Sequence, residues 1–88
     1  TIRVGGNPTH VLFDSGATDS FVTPEVASKF EGTFALKRVN VSVCTPGNQI
    51  LKAETIVLGV PIEILPKIFL ANLLVVPLER FEVILGMD

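Results

Sequence analysis

Asp14 stands at the end of an apolar run, Val11-Leu12-Phe13, and is followed by the small residues Ser15-Gly16-Ala17-Thr18. Burial raises the cost of ionising a carboxylate, so an acid in such a place is hydrogen-bonded, folded into an Asx-type turn, or held for catalysis. The chemistry it offers is proton transfer. Splitting a peptide bond with water needs one group to take a proton while another gives one. Two carboxyls brought together serve both ends of that exchange, because they cannot both ionise and so share a proton as a coupled pair. Activity built on such a pair has a bell-shaped pH profile on the acidic side of neutrality.

Other chemistries lack their partners. Cys44 is the single cysteine and His10 the single histidine. A Cys/His peptidase would need these two to meet, and a zinc site would need more ligands than they provide. No metal or other cofactor is expected, and Cys44 reads as a partly buried, inert thiol with no internal disulfide open to it. The net charge is −2, and Lys29, Lys37, Arg38, Lys52, Lys67 and Arg80 are scattered rather than gathered into a stripe that tracks phosphates. Nucleic-acid binding is not expected. The longest apolar stretches, such as residues 73–78, are far shorter than the roughly 20 residues needed to cross a bilayer, so the expectation is a soluble, cytoplasmic chain without membrane contact.

Eighty-eight residues, 48% of them hydrophobic, make one small domain with one core and are too few for two packed lobes. A single domain over 1–88 is expected, with both ends reading as cut from a longer polypeptide. Within it, β-branched and aromatic residues come in brief runs punctuated by Gly, Pro and Asn, which predicts an all-β fold. Residues 2–4 and 10–13 read as a hairpin around the turn signal Gly5-Gly6-Asn7-Pro8, delivering Asp14 to a strand end. One short helix is predicted, with Thr23 as N-cap, Pro24 at its first position and Glu25 at the positive end of the dipole, stopping near Glu31-Gly32. Valines alternate with polar residues over 39–43, the period of a half-exposed strand. Thr45-Pro46-Gly47-Asn48 then has Pro and Gly where a type II turn wants them. Strands follow over 56–58, 62–65, 68–70 and 73–76, broken by Gly59, Pro61, Pro66 and Pro77, and a last run over 81–85 ends at Gly86.

Across nearly its whole length the chain resembles the retropepsin family of aspartic proteases, above all those of gypsy-type LTR retrotransposons. Asp14-Ser15-Gly16-Ala17 is similar to the family's catalytic Asp-Ser/Thr-Gly-Ala, the hairpin tipped by Pro46-Gly47-Asn48 to its flap, and Val83-Ile84-Leu85-Gly86-Met87-Asp88 to its second signature. The resemblance implies a retropepsin-like (acid protease) fold, half of a closed β-barrel with one short helix and a flap hairpin. It also implies a further helix beyond Asp88, without which dimerisation would be weak. Asp19 and Asp88 lie in no second Asp-Ser/Thr-Gly, so the second catalytic carboxyl is expected from an identical chain across a twofold axis. The implied substrate is an extended, largely apolar stretch of a polyprotein.

The family match gives Asp14 the catalytic role. It has Ser15 brace the two loops across the dimer axis, against a local turn bond, and Gly16 allow close backbone approach. Ala17, Thr18 and Asp19 fall where the family meets its peptide, with Asp19 equally readable as an ordinary surface acid. Gly47 and Asn48 would bring flap main-chain groups to the substrate as one strand laid on another. Phe81 and Ile84 are candidate subsite walls or simply core. Viral members usually carry Arg after the second signature glycine, paired with an acid two residues past the catalytic glycine; Met87 and Thr18 stand there instead. Losing both leaves no orphan charge, as expected of a retrotransposon-type chain. Two other readings remain from the sequence, the retropepsin-like domain of a ubiquitin-shuttle protein and a domesticated domain kept for dimerisation or binding without turnover.

Overall fold

The computed structural model describes residues 2–30, 32–45 and 48–86. Among them run eight strands and one helix: β1 Arg3–Val4, β2 Asn7–Pro8, β3 Val11–Asp14, β4 Ser20–Val22, α1 Pro24–Ser28, β5 Ala35–Cys44, β6 Ile50–Ile64, β7 Lys67–Val75 and β8 Val83–Gly86. The strands form a curled, half-barrel sheet in the order β2-β1-β6-β7-β4-β8-β3, with β5 paired to β6. The all-β, retropepsin-like expectation holds.

The strands of the middle are apolar on both faces because both faces are covered. Phe21 of β4, Leu74 of β7 and Ile84 of β8 pack into one buried cluster with Val43, Ala53 and Val76. Their neighbours Val22, Leu73, Val83 and Leu85 point the other way, into a second cluster with Val4, Val26, Phe30, Val57, Val60 and Ile62. Alternate residues of one strand thus serve two layers, the period of two expected of a pleated chain. Helix α1 closes the second layer with Val26 and the following Phe30, both buried. Its start follows from the sequence: Thr23 accepts from the Val26 N–H at 3.3 Å and Pro24 occupies the first turn. Such a cap contributes about 1 kcal/mol. The helix is shorter than expected and ends at Ser28, with Lys29 as C-cap.

Three expectations are corrected. Asn7–Pro8 is not turn but a short strand, paired Arg3 to Pro8 and Val4 to Asn7. The turn is Gly5-Gly6 alone, at φ +60° and +86°, as a two-residue hairpin requires. Strand β3 accordingly is no hairpin partner of β1; it pairs in parallel with β8.

Second, Gly59 and Pro61 do not break the chain, for β6 runs unbroken from Ile50 to Ile64 and β7 from Lys67 to Val75. A register shift against β7 between Val57 and Val60 absorbs Gly59, which sits at φ +65°. The Pro61 carbonyl accepts from the Gly5 N–H at 2.9 Å, so the side of Pro61 that lacks an N–H faces the turn after β1, not β7. No bond of the β6–β7 ladder is lost.

Third, Cys44 is exposed, because it sits on the outward side of β5 next to the buried Val43. The valine alternation on that strand is partial: Val43 is buried, Val39 half-buried and Val41 exposed, with a shift of register between Arg38 and Val41.

Candidate active site

Asp14 is the last residue of β3 and lies opposite Gly86, the last of β8, in a parallel pair that also matches Val11 with Val83, Leu12 with Ile84 and Phe13 with Leu85. On its other side β8 runs antiparallel to β4, with Phe21 opposite Ile84 and Val22 opposite Val83. Strand β8 is therefore inserted between the two strands that flank the 15–19 loop, and that loop must cross over its end. The crossing is close. A Cβ on Gly86 would lie 2.6 Å from the Ala17 carbonyl oxygen and nearer still to that of Asp19. Only glycine fits there. The Gly86 N–H donates to the Ser20 hydroxyl at 3.1 Å, tying the loop's far end to the same residue.

Inside the loop the Asp14 carboxylate accepts from the Gly16 N–H at 3.0 Å, and its backbone carbonyl accepts from the Ala17 N–H at 3.2 Å. The Asx-type bond, one of the settings expected of an acid at this place, is present, and it fixes the carboxyl at the strand end with one oxygen in use. Gly16 differs from Gly86 in kind. A Cβ on Gly16 would meet nothing closer than the Asp14 Oδ1 at 3.5 Å, an ordinary contact. Nothing among the described residues requires glycine there. Ser15, Thr18 and Asp19 are exposed, and their side chains make no hydrogen bond among the described residues.

The hairpin β5–β6 pairs Cys44 with Ile50 and Val43 with Leu51. Its tip closes with the Asn48 N–H donating to the Thr45 carbonyl at 2.9 Å, and Asn48 itself adopts φ +61°. Pro46 and Gly47, the expected centre of the turn, lie outside the described residues. Ile50 at the hairpin end is apolar and 78% exposed. Met87 and Asp88 likewise fall outside the described residues, and the contrast drawn there with viral chains rests on sequence alone.

A cleft of about 400 Å³ opens between this hairpin and β8, lined by Thr45, Gln49, Leu78, Glu79, Arg80, Phe81 and Ile84. Phe81 is half-buried and Ile84 buried, and both belong to the cluster beneath. They are core and cleft wall at once. Register places this cleft relative to Asp14: Ile84 pairs with Leu12, and Leu12 and Asp14 share a sheet face. The offset is two residues, or roughly 7 Å. Sequence reading missed Ser20, Gln49, Ile50 and Arg80. Only the folding of distant segments brings them to the site: the pairing of β4 with β8 sets Ser20 beside Gly86, and the base of the hairpin, with Gln49 and Ile50, lies across from the segment that carries Arg80. Among the described residues no group of three His, Cys, Asp or Glu is placed to hold a metal, and no helix is long and apolar enough to cross a membrane.

A carboxylate fixed at a strand end by its own loop, with that loop crossing a glycine of an inserted strand and a cleft two residues along the same sheet face, points to the class of the aspartic proteases. The chain belongs to the retroviral aspartyl protease family, whose pattern it matches over residues 1–88. A search of curated proteins found no significant match.

Proposed function

We propose that the chain is one subunit of a homodimeric endopeptidase in which Asp14 of each copy supplies one carboxyl of the catalytic pair. The observation that carries this reading is the Asp14 loop itself: a carboxyl fixed by the Gly16 N–H, at a glycine that no contact among the described residues requires. Gly16 leaves room for another backbone to approach, that of substrate. One such loop per chain is half of a proton-sharing pair, and a twofold axis beside Asp14 completes it.

In the complete site one Asp14 is charged and takes a proton from the attacking water, while the other is neutral and protonates the departing amide nitrogen. Ser15 braces the paired loops. Ala17, Thr18 and Asp19 line the path of an extended peptide, Gly47 and Asn48 cover it from the hairpin with main-chain bonds, and Phe81 and Ile84 receive its apolar side chains. The natural substrate is the polyprotein of a retrotransposon, a reading supported by Met87 and Thr18 in place of the viral ion pair.

Digestion of a mixed peptide library by the purified protein tests this. Cleavage within apolar stretches is expected, with a rate that rises more steeply than linearly with protein concentration because the site assembles from two chains. A folded protein that cleaves no peptide at any pH would defeat the reading. Cleavage strictly proportional to concentration down to amounts at which sedimentation finds only monomer would defeat the shared site.

A further inference from the structure

The segment 79–82 carries three charges in four residues, Glu79, Arg80 and Glu82, of which Glu79 and Arg80 line the cleft described above. Two of these charges are already engaged elsewhere. Glu79 accepts at its Oε1 from the Gln49 side-chain amide at 3.5 Å, a long contact that bridges the cleft to the base of the hairpin. Glu82 accepts at its Oε1 from the His10 N–H at 3.0 Å, pointing back toward β3. Arg80 lies between them and lines the cleft, yet its guanidinium forms no hydrogen bond or ion pair among the described residues. An exposed side chain with a planar fork of five donors is thus left without a partner among the described residues, at the wall of a cavity also lined by the apolar Leu78, Phe81 and Ile84.

Such a cavity fits a side chain with a short apolar stem and an anionic end. The stem lies on the floor and the carboxylate meets the guanidinium in a charge-assisted, bidentate pair. A Lys or Arg side chain would put like charges together, and the one carboxylate on that rim, Glu79, already has a donor. We infer that Arg80 is a specificity-determining residue that selects a glutamate or aspartate side chain of the peptide at this subsite. The inference rests on the protease reading and names its substrate more closely: an apolar segment carrying an acid within one or two residues of the cleaved bond, since Ile84 is offset from Asp14 by two residues along the paired strands. In a twofold dimer the same cleft occurs on both sides of that bond.

The test uses quenched-fluorescence peptides of one apolar sequence, each carrying Glu, Gln or Lys at a single position on either side of the cleaved bond. For the native protein, kcat/KM at one position should favour Glu over Lys by about tenfold or more, a preference that shrinks as salt is raised. Arg80→Glu should reverse the order at that position and leave the others unchanged, and Arg80→Gln should level it; circular dichroism checks that each variant is folded. Binding of the same peptides to Asp14→Asn protein, followed by fluorescence anisotropy, reads the preference without turnover. If peptides are cleaved but no position distinguishes Glu from Lys, or if Arg80→Gln keeps the preference, the selector is refuted while the protease stands. If Glu peptides bind the Asp14→Asn protein in preference to Lys peptides but the native protein cleaves nothing, the selector stands and the protease reading falls.

Discussion

Replacing Asp14 by asparagine is expected to lower kcat by at least about a thousandfold while leaving the fold in place. The two halves of that expectation have separate causes. An amide oxygen can still accept the Gly16 N–H that now bonds Asp14 Oδ1 at 3.0 Å, so the loop keeps its internal tie. Asparagine matches aspartate in volume, and the residue is only half-buried, so the change in stability should stay within about 1 kcal/mol. What asparagine cannot do is hold or release a proton. In a dimer both carboxyls change together, and neither the charged nor the neutral partner remains. Turnover of a cleavable peptide and a thermal melt, taken side by side, decide the matter. An Asp14→Asn protein that melts like the native one yet cleaves at more than a tenth of its rate would end the assignment of Asp14.

Gly86→Ala is expected to be the most damaging single-methyl change in the described chain. The added carbon would enter space held by the Ala17 and Asp19 carbonyls, and these are backbone atoms that cannot swing aside as a side-chain tip would. Either β8 slips against β3 and β4, or the 15–19 loop lifts. The first costs packing of Val83, Ile84 and Leu85, all buried, and the second moves the segment that fixes Asp14. Overpacking of this kind costs about 3 kcal/mol, which in a domain of this size lowers the melting temperature by roughly 10–20 °C. A displacement of even about 1 Å at the carboxyl would cost a further hundredfold in rate. The control is Gly16→Ala, where the same methyl meets only ordinary contact and stability should hold. The measurement is a melt of both variants and of the native chain. Equal melting of Gly86→Ala and native protein would mean that the loop does not cross β8 as described.

Much of this was readable from residue types. The Asp14 loop announced itself because a carboxylate after an apolar run has few stable settings, and the Thr23-Pro24 start of α1 did so through local capping chemistry. The last strand was placed by the apolar run Val83-Ile84-Leu85, although it begins at Val83 and not at Phe81 as read, the run being broken by Glu82. Where reading failed, the deciding fact lay in another strand. Pro61 looks like a breaker until Gly5 is seen on the side where its N–H is missing. Gly59 looks like a strand end until the ladder shift to β7 is known. Cys44 could face either way, and its burial depended on which side of β5 Val43 took. The cleft wall at Gln49, Glu79 and Arg80 has no sequence signal at all, being made where a hairpin end passes over a loop some 30 residues further on.

The insertion of β8 between β3 and β4 also sets the order in which the molecule can come together. His10 and Glu82 are 72 residues apart, and every pairing of β3 spans a separation of that size. Closing so long a loop is entropically slow compared with zipping the local hairpins β1–β2, β5–β6 and β6–β7. The gap that receives β8 must stay open until then, so β3 has no strand partner among the described residues and the Asp14 turn nothing to rest on. During synthesis, the chain therefore passes through most of its length with the cleavage machinery unformed. Folding of the last strand acts as a timer: the Asp14 loop cannot take its final setting before β8 has been made and has closed between β3 and β4.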